Sequence, residues 1–204
     1  EEPRARECGS DSEAEAAVKA LTASGRTAFQ LIVPDESLFQ RLLQYDVYAY
    51  LALSGIEDAQ VRYTTGEPSV LYIDGIQLCT VPWAAATSEE AYLQAMEEMC
   101  REGQTRFELA LGPEFCAQIR EDDVLRRHLE ACSPMDSWTE VLDWSYARIS
   151  YDNVRFTDAP RLQCETEEAL VEAVRQMGAS GIRSFQLVLT ESLYDRVSAD
   201  DFAR

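Results

Sequence analysis

Three segments of this chain repeat one pattern at a fixed spacing. They read SDSEAEAAVKALTASGRTAFQLIV from Ser10, SEEAYLQAMEEMCREGQTRFELAL from Ser88 and TEEALVEAVRQMGASGIRSFQLVL from Thr166. Gly25, Gly103 and Gly181 stand 78 residues apart, as do Phe29, Phe107 and Phe185. A fixed period of this length implies that one structural unit recurs. It divides the 204 residues into an N-terminal lead-in over 1–9, unit one over 10–87, unit two over 88–165 and an incomplete unit three over 166–204.

Each unit opens with a predicted helix. Ala14, Ala17, Val18 and Leu21 recur at the spacing of one buried helical face. Tyr92, Ala95, Met96 and Met99 repeat that stripe in unit two, and Leu170, Ala173, Val174 and Met177 in unit three. Ser10, Ser88 and Thr166 are placed as N-caps, since a side-chain oxygen there accepts from a free amide of the first turn. Acidic residues follow each of them, where they favour the helix dipole. Gly25, Gly103 and Gly181 suit the left-handed conformation that ends a helix.

A strand follows, with Phe29, Leu31 and Val33 on one face, echoed by Phe107, Leu109, Leu111 and by Phe185, Leu187, Leu189. A second helical region starts near Glu36, Glu114 and Glu191, and Asp46, Asp123 and Asp201 are placed to cap a further helical piece. The rest of the unit reads as strands. Asp74-Gly75 between apolar runs predicts a tight hairpin turn. Asp152-Asn153 stands at the matching place in unit two, and Pro82 and Pro160 close the units. The expected fold is therefore α+β: a tandem repeat of a 78-residue α-β-α-β-β-β module, its sheet mostly antiparallel and its helices on one face.

Unit three stops at Arg204, which aligns with Arg126 inside the second helical region of unit two. That reads as a fragment of a longer chain, with a docked capping half-unit as the alternative. The opening EEPRAREC carries no signal peptide and suits either a processed N-terminus or an arbitrary start.

The formal net charge of −19 argues against nucleic acid and anionic membranes as partners, because such a chain repels phosphate. No apolar run approaches the roughly 20 residues of a membrane span, so no membrane insertion is expected. Cys8, Cys79, Cys100, Cys116, Cys132 and Cys164 form no CxxC pair, and no metal or cofactor is expected. Both disulfides and buried reduced thiols remain compatible with this cysteine count.

The sequence contains no Gly-rich phosphate loop, GxSxG elbow or HExxH motif. His128, the one histidine, has Cys132 four residues on. A Cys–His mechanism would need that thiol within reach of the imidazole. Since unit one has Leu51 and Gly55 near the matching places, the pair is not part of the repeated pattern.

Trp138, Trp144, Tyr146 and Tyr151 cluster in the strand half of unit two, and Tyr63, Tyr72 and Trp83 lie in that of unit one. An exposed row of rings on a sheet would bind a glycan or a peptide, so Trp138, Trp144, Tyr146 and Tyr151 are the candidate ligand-binding residues.

The run TEEALVEAVRQMGASGIRSFQLVLTESLYDRVSADDFAR, with its earlier echoes, resembles repeated helix–strand–helix segments of exported proteins from Gram-positive gut bacteria. Segments of that kind occur upstream of transglutaminase-like domains and in surface proteins. The resemblance rests on an acidic helix start, a glycine and F-x-L-x-L. It implies an extracellular or cell-envelope location and an accessory role, and transfers no catalytic residue. The expected function is thus a non-enzymatic module, a spacer or a protein- or glycan-binding surface, monomeric within a larger chain. The alternatives are an enzyme built around Cys132 and His128, and an intracellular scaffold.

Overall fold

The computed structural model describes residues 4–136, 139–144 and 147–199, with backbone alone at 140, 142–144, 198 and 199. The fold is mixed α+β. In chain order the elements are β1 (Arg4–Glu7), α1 (Asp11–Ala23), β2 (Phe29–Val33), α2 (Glu36–Arg41), a π-helical turn (Leu42–Asp46), α3 (Val47–Leu53), β3 (Ile56–Thr64) and β4 (Ser69–Leu78). Then come β5 (Trp83–Ala86), α4 (Glu89–Glu102), β6 (Phe107–Leu111), α5 (Pro113–Glu121), α6 (Asp123–Cys132), β7 (Glu140–Trp144) and β8 (Arg148–Asp152). β9 (Arg161–Cys164), α7 (Glu167–Ala179), β10 (Gln186–Leu189) and α8 (Glu191–Ala199) follow.

The capping expectations for α1, α4 and α7 hold, but the apolar stripe that is sealed in α4 is not in α7, where Leu170 and Ala173 are buried and Val174 is 45 % exposed. Ser10, Ser88 and Thr166 accept from the amides of Glu13, Ala91 and Ala169 at 3.3, 3.2 and 3.2 Å. Gly25, Gly103 and Gly181 adopt φ of +72°, +67° and +70°, which a side chain would resist. Further along, the caps differ from expectation. Asp122, not Asp123, caps α6: its backbone is extended and its carboxylate accepts from Val124 and Leu125 at 2.9 and 3.0 Å. Asp46 has helical backbone angles and caps nothing, because the π-helical turn carries α2 into α3 without a break.

Three sheets form. The first has the order β1-β2-β4-β3, the second β5-β6-β8-β7, and β9 pairs with β10 in the third. In each four-stranded sheet the first strand pairs parallel with the second, and the other pairings are antiparallel. Each sheet thus draws its first strand from ahead of the helix. β1 comes from the lead-in, β5 from the last residues counted in unit one, and β9 from the end of unit two. Cys8, Ala86 and Cys164, just beyond or at the ends of these strands, are each at most 1 % exposed.

The expected hairpin at Asp74-Gly75 is not there. β4 runs straight through it, and the chain reverses between Thr64 and Ser69. Gly75 does take a positive φ of +63°, but it serves a bulge, where β3 pairing slips between Asp58↔Gln77 and Gln60↔Asp74. Positive φ suits a bulge as well as a turn, so the residue signal was right and its use different.

The first core gathers Val18, Leu21, Phe29, Leu31, Leu71 and Ile73 under α1 to α3. The second gathers Met96, Phe107, Leu109, Ile149 and Tyr151 under α4 to α6. Helices do not keep to one face throughout. α3 turns Val47, Tyr50 and Leu51 into the first core. Its Ala49 and Ala52 pack on Ala110 and Ala147, on the outer face of the second sheet. Those four alanines allow close approach of helix to sheet, so α3 is buried from both sides.

Candidate functional site

The four aromatic candidates do not assemble into a described platform. Trp138 and Tyr146 lie outside the described residues. Trp144 ends β7, with its side chain outside the described set. Tyr151 is a correction: it is 1 % exposed, in the second core. β8 lies inside the sheet order β5-β6-β8-β7, and strand alternation sends Ile149 and Tyr151 to the helix-covered face. Its ring lies 4.9 Å from that of Phe107. A buried phenol needs a hydrogen-bond partner, and the Tyr92 hydroxyl supplies it at 2.8 Å. Burial raises the Tyr151 pKa well above its ordinary value and moves that of Tyr92 up to about 12.

The rings of the first half are spread out. Tyr63 is 52 % exposed, its ring edge-on to Phe39 at 6.0 Å. Trp83 covers Gly55 at the junction of the two sheets. Beside it, Glu108 accepts from Arg148 at 3.2 Å, from the Cys79 thiol at 3.3 Å and from Ser150 at 3.4 Å. Those contacts satisfy a carboxylate that is only 12 % exposed.

α6 does bring Cys132 and His128 together. The sulfur lies 3.6 Å from Nε2 and 3.8 Å from Nδ1. A sulfur nearly equidistant from both ring nitrogens is aligned with the lone pair of neither. Nε2 also faces Glu89 Oε1 at 3.2 Å, so the nitrogen nearer the thiol is already engaged. Burial is the first cause raising the Cys132 pKa, and Glu89 adds to it, while Gln163 and Arg161 act the other way. The net effect keeps the thiol protonated, the opposite of an activated nucleophile. None of the six cysteines is joined in a disulfide, and burial moves Cys8 up to about 11.

A concavity opens beside His128. A cavity of about 760 Å³ is lined by Val124, Leu125 and Ala131 of α6, Leu187 and Leu189 of β10, and Tyr194 of α8. The sequence pattern assigns Leu187 and Leu189 to a core, as it does their counterparts; nothing local marked them as lining a groove. Among the described residues, no three His, Cys, Asp or Glu side chains cluster as metal ligands. No described helix is long and apolar enough to cross a membrane.

No protein-family model matches this chain, and no curated protein matches it in sequence.

Proposed function

We propose that the chain is a non-enzymatic tandem-repeat module of an exported or cell-envelope protein, acting as a spacer or as a protein- or glycan-binding surface. The 78-residue sequence period supports the repeat. The resemblance to repeated segments of exported proteins supports the location. The observation that carries the reading is α3, buried on one side in the first core and on the other against Ala110 and Ala147. A helix shared in this way couples neighbouring units through their interface, as in repeat proteins, where stability lies largely between units.

Equilibrium unfolding followed by hydrogen exchange tests the coupling. Amides of β2 and β6 should exchange through one shared opening; independent openings would reject the module. Mapping the N-terminus of the protein from its source tests the location. A processed or lipid-modified end supports export, and an unprocessed initiator methionine shortly before Glu1 rejects it.

The rival enzyme reading keeps one observation, the 3.6 Å approach of Cys132 to His128. The protonated thiol and the engaged Nε2 weigh against it.

A further inference from the structure

The third helix of each half starts beside an aspartate, and the two are held differently. Asp122 accepts from Val124 and Leu125 at 2.9 and 3.0 Å. Asp46 makes no capping bond, since the π-helical turn runs unbroken into α3 and leaves no free amides at that point. A half-buried carboxylate therefore stands without the donors that favour its charge.

Asp46 opens on a cleft of about 590 Å³ between the halves. Asp11 and Glu15 of α1, Arg41 of α2 and Tyr50 of α3 line one side, and Glu114 of α5 stands on the other. Among the described residues lining it, these four carboxylates share a single guanidinium, that of Arg41. Arg41 donates to Asp11 Oδ2 at 2.7 Å. Asp11 Oδ1 is sealed from solvent, with no hydrogen-bond partner among the described residues. An oxygen held in this way is costly until a donor reaches it. Of the other charged groups on these elements, Asp35 accepts from Leu38 N–H at 2.7 Å, and Arg120 of α5 rests over the Tyr45 ring at 4.5 Å.

We propose that this cleft is an acid-responsive joint, in which a proton taken up between Asp46 and Asp11 strengthens the hold of α3 on both halves and its loss loosens that hold. Neighbouring carboxylates in a poorly solvated site resist ionising together, and one proton relieves both. A protonated carboxyl is also a donor, the kind of group that Asp11 Oδ1 lacks. α3 receives the effect directly, because Asp46 immediately precedes its first residue, Val47. The inference goes beyond the module reading and depends on neither location nor ligand.

The electrostatics run the same way. Burial, and next Asp11, raise the Asp46 pKa above its ordinary 3.8, with Arg41 opposing them. The folded chain then holds this proton more tightly than the unfolded one. Its contribution is fully present below pH 3.8 and is lost as pH rises through the folded value. Tyr50 stays protonated throughout, since burial and then Asp11 and Asp46 push its phenol far up.

The test follows the full chain by carboxyl-detected NMR between about pH 3 and 7, together with amide exchange in α3 and urea unfolding. Asp46 should titrate above 3.8. Protection of the α3 amides, corrected for intrinsic exchange, should rise about threefold or more as the proton is taken up. Asp46→Asn keeps the size and a similar helix propensity while removing the charge. It should raise the urea midpoint at neutral pH and abolish the pH response of α3. An Asp46 midpoint at or below 3.8 overturns the proposal. So does α3 protection that ignores that titration, a pH response unchanged in Asp46→Asn, or a lower urea midpoint in that variant at neutral pH. If these fail while β2 and β6 still open together, only the acid response falls. If β2 and β6 open separately, the wider module reading falls as well.

Discussion

Gly55, at the end of α3, lies directly beneath the indole of Trp83, the first residue of the second sheet. A Cβ built on Gly55 would stand 2.9 Å from Trp83 Cζ2, and the glycine holds φ at +75°. Its carbonyl also accepts from Cys79 N–H at 2.8 Å. The residue is thus required twice, once by backbone conformation and once by the ring above it.

Gly55→Ala should therefore destabilise the chain by about 1–2 kcal/mol in urea unfolding. In the background of Trp83→Ala the clash disappears and only the backbone penalty remains. A double-mutant cycle with no coupling between the two sites would refute the contact.

The four alanines between α3 and the second sheet make a second prediction. Ala110→Leu inserts volume where Ala110 is 2 % exposed, and should cost about 1–3 kcal/mol. Because it acts at the joint, it should also split one unfolding transition into two, read by tyrosine and tryptophan fluorescence together. A single transition merely shifted to lower urea would show that α3 does not couple the halves.

The Tyr92–Tyr151 pair predicts an asymmetry. Either single Phe substitution removes a hydroxyl and leaves its partner buried without its 2.8 Å bond, at about 1–3 kcal/mol. The double Phe variant removes both polar groups and should cost less than the sum. Strictly additive losses would contradict the pairing.

Alkaline pH should weaken the fold through the same residues. Tyr92 ionises near 10 when unfolded and near about 12 when folded. The folded state then holds the proton more tightly, so its contribution is fully present below pH 10 and is lost as pH rises through about 12. Cys8 acts likewise, from 9.0 up to about 11. Thermal unfolding between pH 9 and 12 should show the decline. It should be shallower in Tyr92→Phe, and an unchanged slope would assign the loss to other groups.

For Cys132, alkylation by iodoacetamide at pH 7 should be slower than for a free thiol, and His128→Ala should not slow it further. Fast alkylation with a plateau below pH 7, abolished in His128→Ala, would establish an activated pair and revive the enzyme reading.

Local features were legible from the residues alone. The caps at Ser10, Ser88 and Thr166 and the left-handed glycines depend on a few neighbouring residues and appear where expected, as do the strands from Phe29 and Phe107, while the third strand starts one residue late, at Gln186. The site was less legible. Tyr151 carried the composition of a surface ring, yet its position in an interior strand buries it. Cys132 and His128 were placed together by their helical spacing, but the bond from Nε2 to Glu89 comes from α4, far away in the chain.

Periodicity in the sequence determined which face of each helix and strand is apolar, because that is written in adjacent side chains. Only the tertiary structure decided what covers those faces. It assigned β1, β5 and β9 to the sheets that follow them, turned Gly75 into a bulge and buried α3 from both sides. It also left Leu187 and Leu189 half-buried where Leu109 and Leu111 are sealed. The physical reason is that strand pairing and helix docking join segments distant in sequence. Nearly identical local patterns can therefore end up with different neighbours.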